Sequence, residues 1–334
     1  MLPDNVNAAR TSNPVISVAM TTRSGEAFLA EQLQSLAKQS RLPDELVVCD
    51  DDSTDGTVGV IESFARAAPF PVKLFVNKPA LGVHQNFARA LELASGELVF
   101  LCDQDDVWHA GKLARFEAAF SDARVGLVFG DARVVEQNLS PRGYTVWDTL
   151  HFGRALQERV QNGCGFEVLL RHCFVAGALL AVRSSLRPMI LPIPDQLWAY
   201  DAWIAIVAAA ISKTAIVTEP VNDYRQHGNQ QLGGQRKGPW QRYSEAKKAV
   251  DHRYFLKIAD AHECLRDRLI SRGAIKADAP LMRQIDRKIR FARTRARMRQ
   301  QPWLRWPLVG RELLAGDYRH FGQAFRSVLI DLFV

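Results

Sequence analysis

From Pro14 to about Leu127 short apolar, β-branched runs alternate with segments whose apolar residues recur every three or four positions. That alternation predicts βαβ units and a parallel sheet. VISVAM (Val15 to Met20) reads as a buried strand, and Phe28, Leu29, Leu33 and Leu36 share one face of a helix expected over Glu26 to Lys38. The pattern continues with a strand at Glu45 to Asp50, a helix at Thr57 to Ala67, a strand at Val72 to Val76 and a helix at Val83 to Ala94. A strand at Glu97 to Cys102, a helix at Lys112 to Phe120 and a strand at Val125 to Phe129 follow. From Asp131 to about Gly165 no clean period survives, which predicts long loops with short helices. Beyond it lie an apolar stretch around Gly177, the Pro188 to Pro194 segment, a helix from near Asp201 and a strand at Ala215 to Val217. Glycine and glutamine between Gln226 and Pro239 mark the end of the sheet region. Helices are expected at Tyr243 to Ile270 and Leu281 to Gln300, then a turn with Trp and Pro and a short closing helix.

Composition changes this picture little. With 334 residues, 47% of them apolar and 24% charged, the chain is an ordinary globular one with material for a large core. The longest apolar stretches, Phe174 to Val182 and Trp203 to Ile211, reach about half of the roughly 20 residues that a membrane-spanning helix needs. The first ten residues contain Pro3 and Asp4 and no apolar run, so no signal peptide is expected and the protein should stay in the cytoplasm. Five cysteines form no CxxC pair and predict reduced, mostly buried thiols.

Charge is more informative by place than by amount. The net +7 is matched by one segment, Arg283 to Arg299, in which Arg283, Arg287, Lys288, Arg290, Arg293, Arg295, Arg297 and Arg299 face the single acid Asp286. Acids gather instead after two predicted strands, as CDDDSTDGT (Cys49 to Thr57) and CDQDDVW (Cys102 to Trp108). Ligands of open α/β sheets bind at that edge. Turn and cap chemistry accounts for much of the first cluster. Three close acids in the second repel one another and favour a cation.

These segments, in order, resemble glycosyltransferase family 2, inverting nucleotide-sugar enzymes with the GT-A fold. VISVAMTTRSG resembles the family's first strand and turn, ELVVCDDDSTDGT the second, and LGVHQNFARALELASGELVFLCDQDDVW the helix, strand and DxD motif. VAGALLAVR resembles the acceptor-side strand, YDAWIAIVAAA the segment of the catalytic aspartate, and YRQHGNQ the closing loop. The form of CDQDDVW and YRQHGN is most similar to a rhamnosyltransferase-like bacterial branch that builds surface polysaccharide.

The resemblance implies a Rossmann-like, mostly parallel sheet flanked by helices over residues 14–235, after a flexible N-terminus (1–13) and before a basic helical region (236–334). It implies that Thr21 and Arg23 hold the donor base, with Arg23 where the family usually has a stacking tyrosine. Asp51 would bond the imide edge of the base, and Asp52 stands where glycine is common. Asp103 would touch the ribose, while Asp105 would hold Mg²⁺ or Mn²⁺ against the diphosphate with His227. Arg225 would close over the diphosphate, and Asp106 would be structural. A metal-bound nucleoside diphosphate leaves without a proton donor, so one general base suffices. Asp201 takes that role by resemblance, although the same aspartate could simply cap the helix that follows.

The implied reaction moves a sugar, rhamnose from dTDP-rhamnose in the favoured reading, onto a saccharide hydroxyl, the acceptor being lipid-linked. A UDP-sugar donor is the first alternative, and a nucleotidyltransferase or nucleic-acid-binding protein the next. The single glycine of TTRSGEAF argues against the second, and acids at the strand ends against the third. Trp108, Trp198 and Trp203 suit either sugar stacking or core packing. The basic helix and PWLRWPLVG (Pro302 to Gly310) predict peripheral contact with the inner membrane face.

Overall fold

The computed structural model describes residues 13–195, 199–227, 252–322 and 325–333. The first twelve residues, Trp198, most of the Gln226 to Pro239 segment and the expected helix before His252 lie outside them.

Nine strands form one sheet: β1 (Ile16–Thr22), β2 (Glu45–Asp50), β3 (Val72–Val76), β4 (Leu98–Cys102), β5 (Val107–Trp108), β6 (Val125–Val135), β7 (Pro141–Thr145), β8 (Leu180–Arg183) and β9 (Lys213–Arg225). Their order is β3-β2-β1-β4-β8-β6-β9-β5, with β7 paired to β6. The block from β3 to β4 is parallel, β8 runs antiparallel to both β4 and β6, and β9 is parallel to β6. Helices α1 (Glu26–Ala37), α2 (Thr57–Ala65), α3 (Val83–Leu93) and α4 (Lys112–Ala119) make the crossovers.

Strand period and layer agree. In β4, Leu98, Phe100 and Cys102 join the core beneath α1, α2 and α4, while Val99 and Leu101 join the core on the other face. That is the period-2 alternation of a sheet covered on both sides. The second face is closed by α3 and α9 (Tyr200–Ile211), an almost wholly apolar helix. The segment expected as loops also holds β7, α5 (Val146–Leu150), α6 (Arg154–Gln161) and α7 (Gly165–Arg171), with the short α8 (Arg187–Ile190) beyond. Both β6 and β9 are longer than their apolar patterns suggest, because they pair with each other through Val135 and Arg225.

After the undescribed residues, α10 (His252–Ser271) and α11 (Pro280–Gln300) pack side by side. Leu265, Leu269, Met282, Ile285 and Ile289 share the core of α9. Three shorter helices follow, α12 (Arg305–Leu314), α13 (Asp317–Phe321) and α14 (Phe325–Phe333), where one closing helix was expected. They and α11 enclose a separate cluster of Phe291, Met298, Val309, Tyr318 and Val328.

The basic helix α11 is not uniformly solvated. Arg295 donates to both carboxylate oxygens of fully buried Asp331 (2.6 and 2.9 Å), Arg299 adds a third bond (3.0 Å), and Tyr318 Oη a fourth (2.8 Å). Arg287 pairs with buried Asp317. Lys288 turns inward to the carbonyls of Arg171 (3.2 Å) and Phe321 (3.4 Å), and burial pushes its ammonium down to about 7. Half of the positive run is therefore internal wiring, since buried carboxylates need paired donors.

Candidate active site

The site is assembled at the carboxyl ends of β1, β2 and β4 and closed by the end of β9. At the tip of β1, Thr22 Oγ1 donates to Asp50 (2.8 Å), and Asp50 also accepts from the Ser53 amide (2.9 Å) and hydroxyl (2.5 Å). This aspartate builds the turn. Asp52 follows with φ of +61°, the left-handed region that glycine favours and that aspartate tolerates better than most residues. Its replacement of glycine is thus a turn variant.

Asp51 is buried and faces the loop after β3. Its carboxylate accepts from the amides of Leu81 (2.6 Å) and Gly82 (2.9 Å) and from Asn77 Nδ2 (2.9 Å), with the Arg23 guanidinium 3.8 Å away. A carboxylate has about four acceptor directions, so capacity for one more donor remains. Thr21 is buried in β1 in register with Cys49, whereas the Arg23 side chain is 63% exposed. The Arg23 backbone is nonetheless fixed, because its N–H donates to Gln104 Oε1 (2.8 Å) and its carbonyl accepts from Gln104 Nε2 (3.1 Å). The middle residue of the acidic motif therefore locks that motif to the β1 turn.

Within the motif the three acids have different surroundings. Asp106 is fully buried, accepting from Asn222 Nδ2 (3.1 Å) and the Arg225 amide (3.3 Å) of β9. Burial, then the neighbouring Asp105 charge, pushes its carboxyl up to about 7. Asp103 is raised too, by burial first and then by Asp105, Asp106 and Asp201. Asp105 Oδ2 lies 2.8 Å from His227 Nε2, and that ring packs on Phe28 with centroids 4.7 Å apart.

Arg225 departs from expectation. Its Nε donates to the Asp105 carbonyl (2.8 Å), its other nitrogens reach the Gln137 carbonyl and Glu31, and its plane lies 4.7 Å from the Phe28 ring centroid. The side chain is 3% exposed. Its rigid fork is engaged by protein oxygens, so it positions the acidic motif and does not reach out over a diphosphate.

Asp201 stands in the first turn of α9. Oδ1 accepts from the Ala202 amide (2.7 Å) and Oδ2 from the Gly177 amide (3.0 Å), which belongs to the short 3₁₀ turn entering β8. The first bond is to the next amide of the same helix, whose N-cap is Ala199 and carries no side-chain cap, so the capping role that the sequence also allowed for Asp201 is not the one it has. The second comes from another element and aims the carboxylate. Burial pushes its acid up to about 6, against the lowering effect of those amides, and its charge is felt at Asp103.

Several residues here were not singled out from the sequence. Lys112 is fully buried, donating to the Ala178 carbonyl (2.6 Å) and Asn222 Oδ1 (2.9 Å), and sits 3.6 Å from the Trp108 ring centroid. Burial pushes it down to about 7, although Cys102, Asp106 and Asp103 pull the other way. It is a counter-charge beneath the acids. Tyr200 stacks on Phe87 (4.0 Å, 14°), and burial followed by the charges of Asp103 and Asp201 drives its phenol well up. Tyr224 feels Asp106, Asp103, Asp105 and Asp201 together. A lysine in an amphipathic helix and a tyrosine in a strand carry no local sign of such placement. Trp108 and Trp203 are core residues, the latter donating to the Ile190 carbonyl (2.8 Å); Trp198 lies outside the described residues.

Gly177 has no room for a side chain. A Cβ there would stand 1.9 Å from Tyr200 Oη and 2.5 Å from Cζ, and Tyr200 is pinned by Phe87. Gly177→Ala is expected to cost about 1–3 kcal/mol of stability, the usual penalty for overpacking, as measured by the denaturant midpoint. A midpoint equal to the wild type would show that Tyr200 yields freely.

The family model described as Glycosyl transferase family 2 matches residues 17–174. Those residues form a glycosyltransferase family 2 domain. The matched region contains Thr21, Arg23, Asp51, Asp103 and Asp105, while Asp201, Arg225 and His227 lie beyond it. Among curated relatives, the Escherichia coli UDP-Glc:alpha-D-GlcNAc-diphosphoundecaprenol beta-1,3-glucosyltransferase WfgD is 29% identical over 58% of this chain and 70% of its own length. The Shigella flexneri dTDP-rhamnosyl transferase RfbG is 30% identical over 36% of this chain and 40% of its own. The structure of S. aureus TarS 1-349 in complex with UDP-GlcNAc superposes with a TM-score of 0.54 and 17% identity, over 95% of this chain and 89% of that one. That similarity supports the GT-A fold. The chain spans about half the length of the curated relatives it matches.

Proposed function

We propose that this chain is an inverting, metal-dependent glycosyltransferase that moves a sugar from a nucleoside-diphosphate donor to a saccharide hydroxyl. The observation that carries the reading is the placement of Asp201. An aimed carboxylate with an acid raised to about 6 stands within electrostatic reach of a carboxylate cluster suited to a cation. A base poised below neutrality takes a hydroxyl proton as the oxygen attacks, and a cation held by the cluster would neutralise the leaving diphosphate.

Asp51, with its spare acceptor direction, would take the imide N–H of the base; Thr21 and Arg23 would flank that base, and Asp103 would meet the ribose. Asp105 and His227 would supply one oxygen and one nitrogen ligand, 2.8 Å apart, to a divalent ion. Among the described residues no group of three or more His, Cys, Asp or Glu side chains is placed to hold an ion; phosphate oxygens and water would supply the remaining ligands. The bound ion, Mg²⁺ or Mn²⁺, would neutralise the departing diphosphate, and an imidazole ligand favours Mn²⁺ of the two. Arg225 and Gln104 act as positioning residues.

The RfbG relative supports dTDP-rhamnose as donor, and the WfgD relative supports a UDP-sugar together with a lipid-linked saccharide acceptor for surface polysaccharide. No helix among the described residues is long and apolar enough to cross a membrane. A lipid-linked acceptor would be met at the inner face by peripheral contact. A panel of dTDP- and UDP-sugars with Mg²⁺ or Mn²⁺, read by release of the nucleoside diphosphate and by thermal protection, tests the assignment. Metal-dependent turnover of dTDP-rhamnose ahead of UDP-sugars is expected. The reverse order would replace the sugar, and no donor binding with either metal would overturn the function.

A further inference from the structure

Beside the carboxy-terminal helices lies a groove of about 450 Å³ lined by Arg266, Arg290, Arg293, Arg297 and Arg311, with Glu263 and Asp286. It shares no residue with the acidic site. Five guanidinium groups against two carboxylates leave the groove cationic. Arg293 is paired with Glu263 (2.5 Å) and Arg266 with Asp286 (3.3 Å), so both acids are already matched. Arg290 is 60% exposed and 3.6 Å from Asp317, a carboxylate that Arg287 also holds. Arg297 donates to the amide oxygen of Gln301 (3.3 Å). Arg311 is paired with Glu312 and donates to Thr294 Oγ1 (2.8 Å), so among the described residues Arg297 is the lining arginine without a carboxylate partner, and exposed Arg290 shares its carboxylate with Arg287.

One wall of this groove is α12, through Leu308 and Arg311. At about 100° per residue, Trp306, Pro307, Gly310, Leu313 and Leu314 occupy a neighbouring arc of about 120° on the same helix. That arc is bare. Trp303, just before the helix, is 72% exposed, Trp306 67% and Leu314 93%, and exposed Phe333 of α14 lies edge-on to Trp306 at 6.4 Å. Large apolar residues clustered on a surface mark an interaction site. Tryptophan beside leucine and phenylalanine, bordered by the exposed guanidinium groups of Arg290 and Arg297, has the amphipathic layout of an element lying in a headgroup layer.

We propose that α12 docks on an anionic lipid bilayer, with Trp303, Trp306, Leu313 and Leu314 entering the interface and Arg290 and Arg297 binding lipid phosphates in the groove. This places the peripheral contact proposed above on particular residues. The apolar arc and the groove open along one helix, so a single surface can meet both. The internal pairing of Arg287, Arg295 and Arg299 also follows: those arginines hold the helices together, and the outward ones remain for the lipid.

The test uses the full chain and vesicles of phosphatidylglycerol with phosphatidylcholine, against phosphatidylcholine alone. Cosedimentation with the anionic vesicles at low salt and release at high salt are expected. Arg290→Gln with Arg297→Gln should weaken binding on the order of thirtyfold. Trp303→Ser with Trp306→Ser should abolish it, with an unchanged denaturant midpoint because those rings are exposed. Equal binding to both vesicle types, or equal binding by wild type and variants, would overturn the proposal. So would a native mass that is dimeric in the wild type and monomeric in the tryptophan variant, which would assign the arc to a second copy. Vesicle binding is read without any sugar donor, so its failure is distinct from failure of the transferase reading.

Discussion

Asp201→Asn is expected to lower sugar transfer by about 10² to 10⁴ while leaving donor binding intact, the range for loss of a positioned general base. Asparagine has the same shape but only one acceptor atom. It can accept from Ala202 or from Gly177, which now bond separate oxygens, so one amide loses its partner at about 1–3 kcal/mol. Against that loss stands a gain. An acid raised from 3.8 to about 6 is stabilising to the fold only while protonated: the penalty is absent below the unfolded value, enters as pH rises through it, and is complete above about 6. At neutral pH it amounts to about 3 kcal/mol, and removing the charge lifts it. The variant should therefore fold with near wild-type stability at pH 7. In the wild type, kcat/KM should fall about tenfold per pH unit below about 6, as the base protonates, and the variant should lack that acid limb. A variant transferring at the wild-type rate, or retaining the limb, would place the base elsewhere.

Asp105→Ala should remove the metal-dependent part of donor affinity, at least about 100-fold, given that losing even an outer partner of a metal ligand costs 10–100-fold. The backbone should survive the change, because Arg225 holds the Asp105 carbonyl and Gln104 ties the motif to Arg23. Burial raises the carboxyls of Asp103 and Asp106 and the Asp105 charge adds to that rise, so both should titrate lower in the variant. Titration calorimetry of the nucleotide sugar with and without Mn²⁺ separates the two contributions. Donor affinity that stays metal-dependent and unchanged would remove Asp105 from the ion site.

The alternation of Leu98, Phe100 and Cys102 with Val99 and Leu101, the helical stripe of Leu29, Leu33 and Leu36, and acids following β2 and β4 were all legible along the chain. Each expresses a period or turn preference set by a few neighbouring residues. Less was legible where pairing decides. The second half of β6, Asp131 to Val135, is interrupted by Asp131 and Arg133 and is a strand because β9 bonds to it. The short elements between β6 and β8 likewise gain their order from the sheet they cover.

The same division runs through the site. Sequence by itself determined the parallel βαβ core and the strand-end position of Asp51, Asp103 and Asp105, because local periodicity and spacing encode these, and its ordered motifs carried the resemblance to family 2. Tertiary structure decided which groups face one another: the Gly177 amide against Asp201, Lys112 under the acids beside Asn222, Arg225 turned to the Asp105 carbonyl, and Asp331 drawing Arg295 and Arg299 inward while Arg290 and Arg297 stay outside. Those contacts join residues 24 to 120 positions apart, or divide a single helix between two faces. A buried charge must find its partner wherever the folded chain brings one, and that requirement leaves no periodic trace in the sequence.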